Sequence, residues 1–338
     1  MKPHTLLCLW LWGMGLLFSV VGSAQPESAG KGHFARRIDS LLTARYLGAR
    51  IDSQYLKRPR TKWTVKIKGN LSGAGLDVEG FNGDTPVRTE MTAAYKGTVS
   101  LSVSYLGLTL SGALNPGALS GRYKDYEINL NSYGNRFGVD VVWQEAKTFK
   151  GWMEVGDAPR ALLEKGGVDQ QMLYVNAYYV FNHRRFSYPA AFSQSYIQRR
   201  SQGSFLLGAS LQRQRTSRPS EGTDDPLPAF RLNAWEVGIG AGYGYNWVPS
   251  RRWLIHLSFL PAFVVYNSHR LWLNSEPGRL QSRFPEVILT GRGAWVYTFG
   301  RHFLGSTLIF NFSNLGNGER LEVKHTKWRL RTFYGIRF

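Results

Sequence analysis

Three histidine settings in this sequence could carry proton transfer. His256 and Ser258 are two residues apart, so on a strand they share one face. His302 and Ser306 repeat an even spacing, and His325 stands near the C terminus. A serine held against an imidazole is the start of an acyl hydrolase or acyltransferase. No G-x-S-x-G elbow, H-E-x-x-H pair or carboxylate at a fixed offset accompanies these histidines. With seven His in 338 residues, such pairs also arise by chance. Catalysis is therefore the second reading, and neither a cofactor nor a metal is expected. The one cysteine, Cys8, falls in an apolar leader, which leaves the rest of the chain without a thiolate or a disulfide.

Arginine is the more conspicuous chemistry. Arg184, Arg185, Arg199 and Arg200 bracket an aromatic run, NHRRFSYPAAFSQSYIQRRSQ, over residues 182–202. With Phe186 and Tyr188 they could clamp a phosphate or a sugar ring. The same composition suits a segment that packs on itself as a plug. A second cationic set is Lys66, Lys68, Arg292, Arg329, Arg331 and Arg337, and a set of acids is Asp125, Glu127, Asp140 and Glu236. Each lies on the polar face of a segment that alternates polar and apolar. Together they predict either an interior salt-bridge network or a basic stripe guiding anions.

Those faces belong to long two-sided strands. Trp235–Trp247 reads WEVGIGAGYGYNW, with Trp, Val, Ile, Ala, Tyr, Tyr and Trp on one side and Gly, Glu and Asn on the other. Thirteen residues at roughly 3.3 Å each, tilted about 40°, rise on the order of 30 Å, about a bilayer core. Trp63, Val65 and Ile67 oppose Thr64, Lys66 and Lys68, and the last strand sets Trp328, Leu330, Tyr334, Ile336 and Phe338 against Lys327, Arg329, Arg331 and Arg337. The alternating segments number about twelve, within two, and joined by short turns and longer loops they predict an all-β, antiparallel transmembrane barrel. Residues 70–90 read as a loop or short hairpin, and 147–170, 216–230 and 268–284 as loops. Residues 182–202 read as an excursion folding partly into the lumen. Closure pairs the first strand with the last.

Residues 1–24 have the layout of a signal peptide, with an apolar run at Leu6–Val21 and small residues after it. Residues 25–60 read as a periplasmic linker with a short amphipathic helix over 34–50, and the barrel as 61–338. Lys and Arg total 42 against 23 Asp and Glu, a net +19. For an exported chain that charge points to anionic lipid head groups rather than nucleic acid.

The string from Tyr179 to Leu211 resembles the DUF4421 family, a domain of unknown function in outer-membrane barrel proteins of the Bacteroides group. Phe181-Asn182, Arg184–Tyr188, Ala190–Phe192 and Gly203–Gly208 carry the resemblance. Asn135–Val141 and Phe333–Phe338 are similar too, and the likeness spans about residues 50–338. It implies a fold and the outer membrane of a Gram-negative cell, and no activity. A final strand ending on Phe338 also resembles the segment that the barrel assembly machinery reads. The expectation is a non-enzymatic barrel with a structural, narrow or plugged channel, or partner-binding role. The alternative is a lipid-modifying barrel enzyme using His256 or His302.

Overall fold

The computed structural model describes residues 29–48, 50–82, 84–106, 108–114, 126–219, 229–274, 276–278, 286–316 and 321–338. The leader lies outside these residues. Two compact units divide at Arg50 and Ile51. The first holds helix α1 (Ala29–Gly48), longer than the periodicity predicts, with Leu41 and Leu47 exposed. The second starts earlier than position 61, because Leu56–Lys57 (β1) pairs with Ile197–Gln198.

Strands β2 (Trp63–Asn82), β3 (Thr85–Ala93), β4 (Lys96–Tyr105), β5 (Leu108–Leu114), β6 (Tyr126–Tyr133) and β7 (Phe137–Ala146) follow. After them come β8 (Phe149–Val155), β9 (Ala161–Leu163), β10 (Asp169–Val180), helix α2 (Tyr188–Phe192) and β11 (Ile197–Gln198). The chain finishes with β12 (Gln202–Arg218), β13 (Phe230–Ser250), β14 (Trp253–Leu273), β15 (Glu276–Gly278), β16 (Val287–Phe299), β17 (His302–Gly316) and β18 (Leu321–Arg337). Among the described residues the antiparallel ring runs β2-β4-β5-β6-β7-β10-β12-β13-β14-β16-β17-β18 and returns to β2, which makes twelve strands. Lys66 is opposite Gly335, and Lys68 is opposite Phe333. Trp63 and Phe338 exchange backbone hydrogen bonds of 3.0 and 3.1 Å. The ring therefore has no open edge at the seam, which satisfies backbone groups that lipid cannot.

The outer surface is apolar all round. Ile67, Leu101, Phe205, Ile239, Tyr243, Leu257, Phe263 and Leu308 are exposed, with Trp235 and Trp247 at either end of the opening alternation. A continuous skin of this kind belongs in lipid, and the chain is a membrane-spanning barrel. We call the end bearing Trp63, Phe338 and the turns at 134–136, 251–252 and 300–301 the terminal end. The other is the loop end.

Toward the loop end the wall departs from a simple cylinder. Residues 147–170, expected as loop, contain β8 and β9, and 70–90 is filled by β2 and β3. β3 pairs directly with β8, and β8 with β9, so the sheet branches from β2 at this end. The strand β14 runs on to Leu273 and pairs with β15, inside the stretch expected as loop. Short, Gly-interrupted alternations hide such strands. Inside this end Leu76, Met91, Phe149, Met153, Leu163, Val168 and Val323 form a buried apolar cluster.

Candidate functional site

The polypeptide between β10 and β12 enters the barrel from the terminal end. Its turn into the lumen is built by α2. Ser187 caps the helix, accepting from Ala190 N at 3.2 Å, and Pro189 sits in the first turn. The helix ends after one turn because Gln194 adopts φ 57°, a left-handed conformation unusual for glutamine. The side chain of Gln194 compensates: its Nε2 donates to Ala191 O at 2.7 Å, and its Oε1 accepts from Lys66 Nζ at 2.8 Å. Gln194 is fully buried.

The wall is shaped to receive this plug. Phe186, Tyr188 and Phe192 surround the His256 ring at 5.9, 5.0 and 5.1 Å. Gly244 faces the plug, and a Cβ there would lie 3.1 Å from Phe186 Cζ. Asn246 donates from Nδ2 to Ser187 O and to Gln198 Oε1, each at 3.0 Å. From the seam, Lys66 Nζ also donates to Ser193 O at 3.3 Å, and Arg337 Nε donates to Gln194 O at 3.1 Å. Two cations of the basic stripe thus bind the plug's backbone.

The rest of the stripe pairs with acids on facing strands. Arg292 Nη1 lies 2.8 Å from Asp140 Oδ2, an ion pair without hydrogen-bond geometry, and the guanidinium stacks over Tyr188 at 5.7 Å. Arg329 binds Glu127 through Nη2 and Asn129 Oδ1 through Nη1, the latter at 2.7 Å. Lys327 contacts Gln144 and lies 3.8 Å from Glu127. Lys68 donates to Ser111 Oγ at 2.8 Å. Arg331 lines a small cavity of about 20 Å³ with Lys66 and Lys68. Asp125 lies outside the described residues. Glu236 is also internal, but it stands apart toward the loop end, beside His269.

The arginines flanking the plug are not a lumen clamp. Arg184, Arg185, Arg199 and Arg200 are exposed at the terminal end. Arg185 Nε donates to Asp52 Oδ2 at 3.1 Å, Arg199 Nη1 to Ser53 O at 3.0 Å, and Arg200 Nη1 to Gln54 Oε1 at 3.3 Å. Insertion of the middle of the segment leaves its two flanks at the barrel mouth, where they hold residues 52–55. Of the six residues expected in the clamp, only Phe186 and Tyr188 are inside.

The histidines separate as well. His302 is on the outer side, bonded to Tyr334 OH at 2.7 Å and stacked on Phe299, and Ser306, on the same unbroken register, shares that outer face and donates to Arg331 O at 2.9 Å. Four residues along an extended strand put the two about 13 Å apart, beyond direct contact. His325 is buried and meets Tyr174 OH at 3.2 Å. His256 does meet Ser258, Nε2 to Oγ at 3.0 Å, and its Nδ1 lies 2.7 Å from Asn246 Oδ1. Asn246 was invisible to sequence spacing because strand register alone brings it opposite His256. Ser258 is also bonded to Tyr188 OH at 2.9 Å, so the chain Asn246–His256–Ser258–Tyr188 ends on the plug. A nucleophile, base and orienting amide are present in sequence, yet the imidazole has no exposed surface.

Between plug and wall, Tyr178, Tyr188, Leu260 and Arg292 line a cavity of about 30 Å³. That is room for about two waters. Among the described residues the arrangement fills and braces this layer of the lumen.

Among solved structures, the chain is similar to the outer membrane protease OmpT from Escherichia coli, at 9% identity over 85% of this chain and 100% of that one, TM-score 0.45. It is also similar to the beta domain of the Bordetella autotransporter BrkA, at 10% identity over 82% and 100%, TM-score 0.36. A third likeness is to the outer membrane protein OprG from Pseudomonas aeruginosa, at 8% identity over 82% and 97%, TM-score 0.28. No curated protein matches the sequence. Residues 50–338 match the family described as domain of unknown function, DUF4421.

Proposed function

Because the chain belongs to the DUF4421 family, whose description assigns no activity, we propose its role from the barrel itself: a plugged, non-enzymatic barrel of the Gram-negative outer membrane. It is exported by its leader and serves the envelope as a structural or partner-binding element. The observation that supports this is the plug, held by Lys66, Arg337 and Asn246 through hydrogen bonds to its backbone. A segment gripped by its main chain is built to stay, since each buried carbonyl left unpaired costs about 1–3 kcal/mol. The terminal end carries exposed Arg136, Arg251, Arg252 and Arg301 beside outward aromatics, with Arg136 over Phe137 at 5.4 Å. These suit phosphate-bearing lipid head groups. The closing strand, with Phe338 exposed at its tip, is the segment for the assembly machinery. Purified full chain in planar bilayers is the test. No conductance steps above baseline are expected, and ion conduction by the unaltered protein would overturn the plugged reading.

The hydrogen-bonded order Ser258–His256–Asn246 favours a second reading, a lipid acyl hydrolase or acyltransferase. In it His256 Nε2 takes the Ser258 proton as Oγ attacks an ester carbonyl, and Asn246 orients the ring. The plug stands against it, since Tyr188 occupies Ser258. Incubation with labelled phospholipid and lipid A discriminates the two. Intact lipids support the non-enzymatic barrel; turnover lost in His256→Ala would replace it.

A further inference from the structure

Linear spacing predicts no metal ligands, because the relevant residues come from three separate stretches. In the fold, Glu236, His269 and Glu286 offer ligand atoms that all lie within 4.8 Å of one another. Glu236 is on β13, and His269 is on β14. Glu286 directly precedes β16 and is fixed by its carbonyl, which accepts from Val264 N at 2.9 Å. His269 reaches the interior through a β-bulge. Below it, His256, Ala262 and Val264 are the inward residues of β14; the register slips between Val237 and Gly238, and above it Asn267 and His269 face Glu236 and Ala234. Bulges of this kind re-aim side chains beside functional sites.

The cluster is sealed. Glu236 and Glu286 are 1% and 5% exposed, and the His269 side chain 3%. His269 Nε2 lies 3.3 Å from Glu236 Oε1. Asn267 Nδ2 donates to Glu286 Oε2 at 2.7 Å, an outer contact of the type that orients a ligating carboxylate. Glu236 Oε2 is buried with no hydrogen-bond partner among the described residues. A deeply buried carboxylate oxygen left unpaired is costly, and a cation beside it removes that cost.

We propose that Glu236, His269 and Glu286 bind a divalent first-row transition ion, with Zn²⁺ as the reference case. One imidazole and two carboxylates suit such an ion, whose N and O ligands sit at about 2.0–2.2 Å. Calcium is disfavoured by the nitrogen ligand and by the small number of oxygens. The ion would tie β13, β14 and the start of β16 together near the loop end.

The test uses the full chain folded in detergent, stripped with a chelator and dialysed against Zn²⁺. One bound equivalent is expected, together with a rise in the thermal unfolding midpoint, because the ion binds only the folded cluster. Asn267→Ala is expected to weaken binding about tenfold, and Glu236→Gln or His269→Gln to weaken it further. His325→Gln, a buried histidine outside the cluster, should bind as the unaltered chain does. If Glu236→Gln does not fold, Asn267→Ala and His269→Gln still decide. No bound Zn²⁺, tighter binding of Ca²⁺ or Mg²⁺ than of Zn²⁺, or binding unchanged in His269→Gln would each overturn the assignment.

Discussion

Gln194 and Phe149 lie toward opposite ends of one cylinder, both sealed from solvent, and they are held by different physics. Gln194 belongs to an inserted segment and is fixed by hydrogen bonds from the wall, Lys66 to its amide oxygen and Arg337 to its carbonyl. Phe149 belongs to the wall and packs with Leu76, Met91 and Met153, wall residues like itself. Near Phe149 the sheet branches, β3 pairing with β8, and the wall's own side chains pack on one another. Near Gln194 the ring strands surround an inserted segment and bond to it. Around the plug, polar wall residues specify the position of the filler; around Phe149, apolar packing is enough.

The largest effect tests whether these are two independent seals. Replacing residues 186–196 with a Gly-Ser loop removes the plug and with it the bonds that Lys66, Arg337 and Asn246 make to Ser193, Gln194 and Ser187. Urea unfolding in lipid vesicles should show the greatest loss of stability of any change considered. Conductance should nevertheless stay at baseline, because the cluster around Phe149 remains. Adding Phe149→Gly to that deletion should then open a conducting path. Conduction by the plug deletion alone would refute the second seal. Next in size are two single substitutions, one for each region. Asp140→Ala leaves Arg292 buried without its acid and should cost about 3–5 kcal/mol. Phe149→Ala should cost a similar about 3–5 kcal/mol through transfer and cavity. Their denaturant midpoints should fall together, and salt should not rescue either.

How much of this was legible in the sequence follows from the same contrast. Period-two alternation in Trp63–Lys68, Trp235–Trp247 and Trp328–Phe338 is a local signal, and it was enough to point to the closing pair of β2 and β18. The aromatic, basic composition of residues 182–202 pointed to the lumen, but not to which part enters. Composition cannot distinguish Arg185, which stays at the mouth on Asp52, from Phe186 one residue on, which is buried. Strands β8 and β9 were hidden because Gly151, Gly156, Gly166 and Gly167 interrupt the alternation. Asn246 opposite His256, and His269 opposite Ala234, depend on strand register and on a bulge. These are relations between strands, and no spacing along one strand encodes them.

The smaller effects sharpen the terminal region alone. Asn246→Ala removes two donated bonds to the plug and the partner of His256, and should cost about 1–3 kcal/mol. Arg185→Ala breaks an exposed pair with Asp52 and should cost less than about 1 kcal/mol, fading further at high salt. The order matters more than either value. Both residues tie down the same 181–201 segment, one from inside the wall and one at the mouth. If the plug is gripped from within, proteolysis of the folded chain in this segment should accelerate in Asn246→Ala and stay near the unaltered rate in Arg185→Ala. A reversed order would mean that residues 52–55 hold the plug from outside, and that the interior contacts follow from insertion rather than secure it.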